Sequence, residues 1–275
     1  MLRGKTMAVV GVGKLGEALV TGLLKQGDLR REDIAGSVAH ESSVERVRQR
    51  LGIHVTLDNR ELVRDRDIVL LAVKPQNMDK VARDIGEVVT SQQLIITVAA
   101  SVTTTFVEQR MENPVPVVRA MPNTPCVLNA GMTALCAGLY ARAEHLRVAE
   151  EIFRSVGETV LVDETLMDGV TGLSASGPAY VYVVIESLAE AGVKLGIPRD
   201  VSTLLAAQTM LGAARMVLES KAHPALLKDM VTTPAGCTID GLLELEEGKL
   251  RVTLIKAVVK AAERARELVL TQNSK

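Results

Sequence analysis

The run of residues most suggestive of chemistry lies late in the chain. Between Lys228 and Leu242, the small and polar residues Thr233, Pro234, Ala235, Gly236, Cys237 and Thr238 separate two apolar-periodic segments. A helix that opens after such a turn leaves its first backbone N–H groups without intrahelical acceptors, and those groups suit an anion such as a substrate carboxylate. Gly236, Cys237 and Thr238 are therefore candidate substrate-binding residues, with Thr238 either capping the helix or donating to a ligand. A second suggestive run stands near the start, where Gly11, Gly13 and Gly16 form a GxGxxG pattern after the apolar run 7–10 and open the amphipathic stretch 15–26. In that setting the first glycine permits a tight turn, the second lets backbone approach a pyrophosphate, and the third allows close helix packing.

Other constellations are missing in an informative way. The histidines His40, His54, His145 and His223 show neither HxH nor HExxH spacing, so no metal site is expected. The stretch 172–177 misses GxSxG by one residue and follows no strand, which argues against a nucleophile elbow and for a helix start. Cys126, Cys136 and Cys237 form no CxxC pair, and three cysteines in 275 residues fit a reducing compartment, hence the cytoplasm. Lys plus Arg number 32 against 33 Asp plus Glu, and aromatic residues make up 2% with no Trp, so neither the basic surface nor the stacking platforms of a nucleic-acid binder are present. No run of about 18 uninterrupted apolar residues marks a membrane span, and the short apolar stretch 7–12 is too brief for a signal peptide.

The elements that would carry these residues follow from periodicity. Apolar runs at 6–10, 34–38, 67–73, 94–99, 115–120, 132–136 and 159–162 alternate with amphipathic stretches at 15–26, 43–51, 77–89, 102–111 and 143–155. That alternation predicts βαβ units and a doubly wound, Rossmann-like parallel sheet. After residue 163 the strand signal ends and an all-helical domain is expected, giving domains at 1–163 and 164–275. One helix is marked by Ser176 as N-cap, Pro178 in its first turn and Gly196 past its end. The next, 200–220, is apolar around nearly its whole circumference, which predicts burial in an intertwined homodimer.

At the expected cofactor end, the second strand exits through Ser37 and Val38 with no carboxylate at its tip. Ser42, Ser43 and Arg46 follow and favour NADP over NAD, Glu41 being the ribose acid only if the strand runs further. Lys74 before Pro75 reads as a rigid corner lining the cofactor or as an exposed loop lysine, and Asn59 after Asp58 as a helix cap. A dinucleotide domain joined to helices favours hydride transfer.

Several segments together carry a resemblance. Residues 119–125 (Arg-Ala-Met-Pro-Asn-Thr-Pro), 172–180 (Gly-Leu-Ser-Ala-Ser-Gly-Pro-Ala-Tyr), 223–239, the glycine loop and 72–75 (Ala-Val-Lys-Pro) resemble Δ1-pyrroline-5-carboxylate reductases over essentially the full chain. The family's Ser-Pro-Gly-Gly-(Thr or Ala)-Thr stands here as Thr233-Pro234-Ala235-Gly236-Cys237-Thr238, with Ala235 for a usual glycine and Cys237 less common. The resemblance implies reduction of a cyclic imine, pyrroline-5-carboxylate, to L-proline by NADPH, with NADH as the alternative donor. It implies that Val10, Gly11, Val12, Gly13, Lys14 and Leu15 hold the pyrophosphate, that Asn59, Ala72, Val73, Lys74 and Pro75 line the adenosine side, and that Ala99 and Ala100 line the nicotinamide. Thr238 would bond the imine nitrogen and the backbone of Gly236, Cys237 and Thr238 the carboxylate. The family's serine for the 2′-phosphate falls at Ser37 or Val38. Family members form homodimers and decamers. Two rival readings are a β-hydroxyacid dehydrogenase, for which Lys194 is the nearest catalytic lysine, and a non-catalytic NADPH-binding oligomer.

Overall fold

The computed structural model describes residues 2–273, and side chains through residue 268; the ends of the expected domains, residue 1 and residues 274–275, lie outside the described residues. Eight strands form one sheet: β1 (Met7–Val10), β2 (Ile34–Ser37), β3 (His54–Thr56), β4 (Ile68–Leu71), β5 (Leu94–Thr97), β6 (Val117–Pro122), β7 (Gly131–Ala137) and β8 (Gly157–Leu161). Their order is β3-β2-β1-β4-β5-β6-β7-β8, and every described pairing is parallel except that of β6 with β7. Strands covered on both faces read as unbroken apolar runs because each successive side chain enters a different core. Met7 and Val9 of β1, with Ile68 and Leu70 of β4, join one apolar cluster, whereas Ala8, Val10, Val69 and Leu71 join the other.

Helices of the same region are α1 (Lys14–Gln26), α2 (Val44–Leu51), α3 (Asn59–Val63), α4 (Met78–Gly86), α5 (Thr104–Glu108), α6 (Ala143–Arg154) and α7 (Met167–Val170). Leu19 and Leu23 of α1, Val47 of α2 and Phe153 of α6 cover the first face, while Leu62 of α3, Met78 and Ile85 of α4 and Val107 of α5 cover the second. The expected doubly wound sheet is thus formed. Two of its elements escape the periodicity analysis. The three-residue β3 sits at the edge with His54 exposed and only Val55 buried, and α3 is one short turn started by Asp58, whose carboxylate accepts from Arg60 N and Glu61 N. Asp58, rather than Asn59, is therefore the cap.

Beyond β8 the described residues form no further strand. The helices there are α8 (Gly177–Lys194), α9 (Arg199–Ser220), α10 (Pro224–Met230), α11 (Cys237–Glu247) and α12 (Leu250–Asn273). Two compact units result, one of Met1–Ser176 with Lys260–Lys275 and one of Gly177–Val259. Ser176 is not the N-cap expected of it. It keeps right-handed helical angles and donates its N–H to Thr171 O, closing a π turn over Thr171–Ala175, so helical backbone reaches α8 from α7. Such π turns insert one residue into a helix and often mark functional segments.

In the second unit, α9 buries only Ser202 and Ala206. Its Leu204 and Leu218 are 68% and 74% exposed, and Val183 of α8 and Ile255 of α12 are exposed too. Among the described residues α9 is the one helix whose length and composition would suffice to cross a membrane. Fully burying one such leucine is worth roughly 1.5–3 kcal/mol, and an apolar surface this extensive marks an interaction face. Sedimentation velocity at micromolar concentration is expected to give at least twice the mass of one chain; a single species of monomer mass would mean that these faces stay in water.

Candidate functional site

The carboxyl ends of β2, β1, β4 and β5 lie side by side, and the sequence-expected cofactor residues gather along that edge. The turn after β1 is built by hydrogen bonds from below. Gly11 N donates to Ser37 O (3.2 Å) and Ser37 Oγ (3.3 Å), Val12 N donates to Ser37 O (2.7 Å), and Ser37 Oγ donates to Asn59 Oδ1 (2.6 Å). Gly11 has φ +87°, and a Cβ there would stand 2.7 Å from Val73 Cγ1 and 3.2 Å from Val73 N. A side chain at this position would suffer both left-handed strain and collision with β4's exit. Ala72 N donates to Val10 O (2.9 Å), tying that exit to β1.

Gly13 caps α1 without any side-chain hydrogen bond. The N–H groups of Lys14, Leu15 and Gly16 therefore open the helix with no intrahelical acceptor, facing a position where a Cβ on Gly13 would meet nothing within 4 Å. Free donors, the positive end of the helix dipole and open space in front form an anion cradle. Gly16 is less constrained, since an added Cβ would make only ordinary contact with Val9. The corner at Lys74 starts a short 3-10 turn, Pro75–Asn77, with Lys74 exposed and Ala72, Val73 and Pro75 partly covered. Ala99, buried, and Ala100 follow β5 on the same edge, where Ser101 takes the left-handed φ of +62° and donates Oγ to Ala265 O.

Arg46 does not stand free. Its Nη1 pairs with Glu17 Oε1 (2.9 Å), while Arg50 takes Glu17 Oε2 (3.0 Å), and Glu17 itself is only 7% exposed. Neither this bridge between α1 and α2 nor the Ser37–Asn59 bond is legible in the sequence, because neither pair is periodic or local. Glu41 and Ser42 are exposed and Ser43 half-buried on the turn after β2.

The substrate-side candidates lie in the second unit, between α10 and α11. His223 Nδ1 accepts from Ala225 N and starts α10, Thr232 Oγ1 donates to Lys228 O (2.8 Å), and the chain then turns through Ala235, whose φ is +57°. Gly236, not Thr238, is the cap of α11, which opens with Cys237. Gly236 N is also not free, as it donates to Thr233 O (3.0 Å). That leaves Cys237 N and Thr238 N as the helix-opening donors, with Cys237 exposed and Thr238 half-buried. Asn123, in the segment 119–125, accepts from Met132 N on Oδ1 and donates Nδ2 to Ser174 O at the π turn, a structural use of the segment. His145 Nδ1 accepts from Arg142 N at the start of α6, and burial holds its imidazole below the usual histidine range. Two of the four histidines thus accept backbone N–H groups at helix starts, His223 as the N-cap of α10 and His145 from within the first turn of α6. Among the described residues no three His, Cys, Asp or Glu side chains gather as a metal site would require.

The comparisons with known proteins align with both halves. Residues 164–268 match the family described as pyrroline-5-carboxylate reductase dimerisation, and residues 6–101 match one described as NADP oxidoreductase coenzyme F420-dependent. The chain is 42% identical to the pyrroline-5-carboxylate reductase of Methanosarcina acetivorans, over 97% of this chain and 99% of that one. Among solved structures it is similar to a pyrroline-5-carboxylate reductase from Coxiella burnetii (TM-score 0.88, 35% identity, 96% of this chain and 98% of that one). It is also similar to the Plasmodium falciparum pyrroline carboxylate reductase solved with NADP bound (TM-score 0.87, 30% identity, 97% and 99%).

The left-handed Ala235 yields a stability test. An L-residue there costs about 1–2 kcal/mol, while glycine raises unfolded-chain entropy by about 0.4–1 kcal/mol. Ala235→Gly is expected to raise stability by about 0.5–1 kcal/mol in urea titration; a loss of stability would mean that the alanine methyl makes contacts worth more than the strain.

Proposed function

The chain belongs to the pyrroline-5-carboxylate reductase family, and we propose that it reduces the C=N bond of 1-pyrroline-5-carboxylate to give L-proline, with NADPH as the preferred reductant and NADH as a lesser one. The observation that carries this reading is the 42% identity spanning 97% of the chain, which weighs against both a β-hydroxyacid dehydrogenase and a non-catalytic binding protein. Lys194, the lysine a dehydrogenase reading would use, is the last residue of α8.

The residues present fit a dinucleotide. The left-handed Gly11, the uncapped start of α1 and the open space before Gly13 suit a pyrophosphate held by backbone N–H groups. On this proposal Val10, Gly11, Val12, Gly13, Lys14, Leu15 and Gly16 cradle the pyrophosphate. Ser37, Asn59, Ala72, Val73, Lys74 and Pro75 line the adenosine side, and Ala99 and Ala100 the nicotinamide side. Support for NADPH comes from the absence of a carboxylate at the tip of β2, where Ser37 and Val38 are both buried. When bound, the cofactor supplies the hydride.

The chain's own task is then to hold the imine. Cys237 N and Thr238 N would bind the substrate carboxylate at the start of α11, and Gly236 shapes the approach. Thr238 is the proposed catalytic residue, its hydroxyl bonding the imine nitrogen. A protonated imine is already strongly electrophilic, so no histidine acid is needed. Alignment of the imine carbon within about 3 to 3.5 Å of the hydride supplies much of the acceleration. The proposed assembly is a homodimer through the helical unit, with a decamer as its larger form. The proposed compartment is the cytoplasm, in keeping with three free cysteines.

Loss of NADPH absorbance at 340 nm is expected with pyrroline-5-carboxylate, and no rise at 340 nm, the sign of NADP reduction, is expected with NADP plus a 3-hydroxyacid. Thr238→Ala is expected to lower kcat/KM about tenfold or more, the loss of about 1.4 kcal/mol of transition-state stabilisation. An unchanged kcat/KM would remove Thr238 from the reaction. Cys237 offers a separate check. Burial pushes the Cys136 thiol up to about 12 and raises that of Cys126, whereas Cys237 is exposed at the first turn of α11. A bulky alkylating reagent should therefore label Cys237 first and abolish activity, with Cys237→Ala both active and resistant. Full activity after stoichiometric labelling would place the substrate elsewhere.

A further inference from the structure

The turn after β5, which on the proposal above lines the nicotinamide, is fixed at both of its ends. On the strand side Thr97 is buried and Val98 N donates to Leu71 O (3.1 Å). On the helix side α5 starts with Thr104, whose N–H donates to Glu164 Oε1 (2.8 Å) and whose hydroxyl donates to Glu164 Oε2 (2.6 Å). Arg119, buried on β6, pairs with the same carboxylate, its Nη1 donating to Oε1 at 3.3 Å. Within the turn Val102 N donates to Ala99 O (3.4 Å), and Ala100 packs against the apolar cluster of Met121, Cys136 and Met167.

Ser101 stands between these fixed ends in a conformation that costs free energy. Of the non-glycine residues with a left-handed φ among those described, Asp65, Asn129, Lys221, Ala235 and Lys249 are all exposed. Ser101, at φ +62°, is the buried one, with 4% exposure. A residue other than glycine keeps such a conformation where its surroundings over-determine it, and residues of this kind gather at ligand sites. Here the hydroxyl of Ser101 donates to Ala265 O at 3.2 Å, a carbonyl of α12 that lies 164 residues further along the chain. Ala265 is itself buried, in the stretch of α12 that belongs to the first unit. A buried hydroxyl deprived of its acceptor carries its desolvation cost, so this bond fixes the Ser101 side chain and, through it, the backbone of Ala99 and Ala100.

We propose that Ser101 is a positioning residue for the nicotinamide half of the cofactor, its hydroxyl anchoring the Ala99–Ala100 turn to the Ala265 carbonyl of α12. The proposal rests on the cofactor placement given above and not on the identity of the imine.

Calorimetric titration of the intact protein with NADPH, and separately with 2′-phospho-ADP-ribose, which lacks the nicotinamide, tests it. Ser101→Gly removes the hydroxyl, and glycine takes the left-handed φ without strain, so this variant is expected to melt no lower than the wild type. Its affinity for NADPH is expected to fall about fivefold, the order of effect of one lost hydrogen bond, while its affinity for the truncated nucleotide is unchanged. Ser101→Ala, which also lacks the hydroxyl but keeps the strain, is expected to show the same selective loss; should it prove unstable, Ser101→Gly carries the test alone. Undiminished NADPH affinity in Ser101→Gly, or an equal loss for both nucleotides, would overturn the proposal. Turnover keeps the two readings apart: a wild-type protein that binds NADPH without reducing pyrroline-5-carboxylate would refute the reductase reading, and the two affinities would still decide the role of Ser101.

Discussion

Ser37, 2% exposed at the end of β2, accepts the Gly11 N–H on both its carbonyl oxygen and its hydroxyl, accepts Val12 N, and donates its own proton to Asn59. The position of the glycine turn follows from this one buried knot. With Gly11 pulled down at φ +87° against Val73, the chain has no route other than upward into α1, and the free N–H groups of that helix end up above the carboxyl edge of the sheet. An open α/β sheet binds ligands at that edge because the strand order reverses there and leaves a crevice. Here the reversal is at β1, flanked by β2 on one side and β4 on the other. The knot also constrains what Ser37 can do for a ligand, since its single proton already goes to Asn59; toward a phosphate it would have to give up that bond.

Most of the sheet was legible because a strand buried on both faces carries aliphatic residues or glycine along nearly its whole length, as the runs at 34–36, 68–71 and 94–96 do. β3 was not, because an edge strand of three residues needs only Val55 inside. The start of α8 is hidden in the sequence for a different reason. Ser176 followed by glycine and proline has the composition of a cap, but the π turn before it absorbs the irregularity and keeps the backbone helical. In the candidate substrate loop the type of residue was readable and its bonding was not: Gly236 looked like a free donor, and its N–H is spent on Thr233 O. The contacts between Arg119, Glu164 and Thr104 were out of reach altogether, spanning 45 and 60 residues with no periodic trace.

The helical unit shows how a pattern can be read as a demand. A helix apolar all round has to be covered all round, yet α9 buries only two small residues against its own chain. The match of residues 164–268 to a family described as pyrroline-5-carboxylate reductase dimerisation agrees with that demand. The histidines illustrate the converse, a residue type whose chemical promise is used up by architecture. His145 and His223 each give a ring nitrogen to the N-terminus of a helix, and protonation would remove that acceptor. A reaction that draws its electrophilicity from a protonated imine places no demand on them.

The same reasoning bears on cofactor choice. Arg46 is held by Glu17, so on the NADPH reading its recruitment to a 2′-phosphate would break an ion pair with a carboxylate that is only 7% exposed. Leaving a buried charge alone ordinarily costs about 3–5 kcal/mol. Glu17, however, has a second partner, since Arg50 holds its other oxygen at 3.0 Å. With Arg50 in place the carboxylate stays paired when Arg46 turns away, and the cost falls to that of exchanging one exposed guanidinium contact for another. The doubled bridge between α1 and α2 therefore keeps the Glu17 carboxylate paired through Arg50 even where Arg46 turns to a ligand.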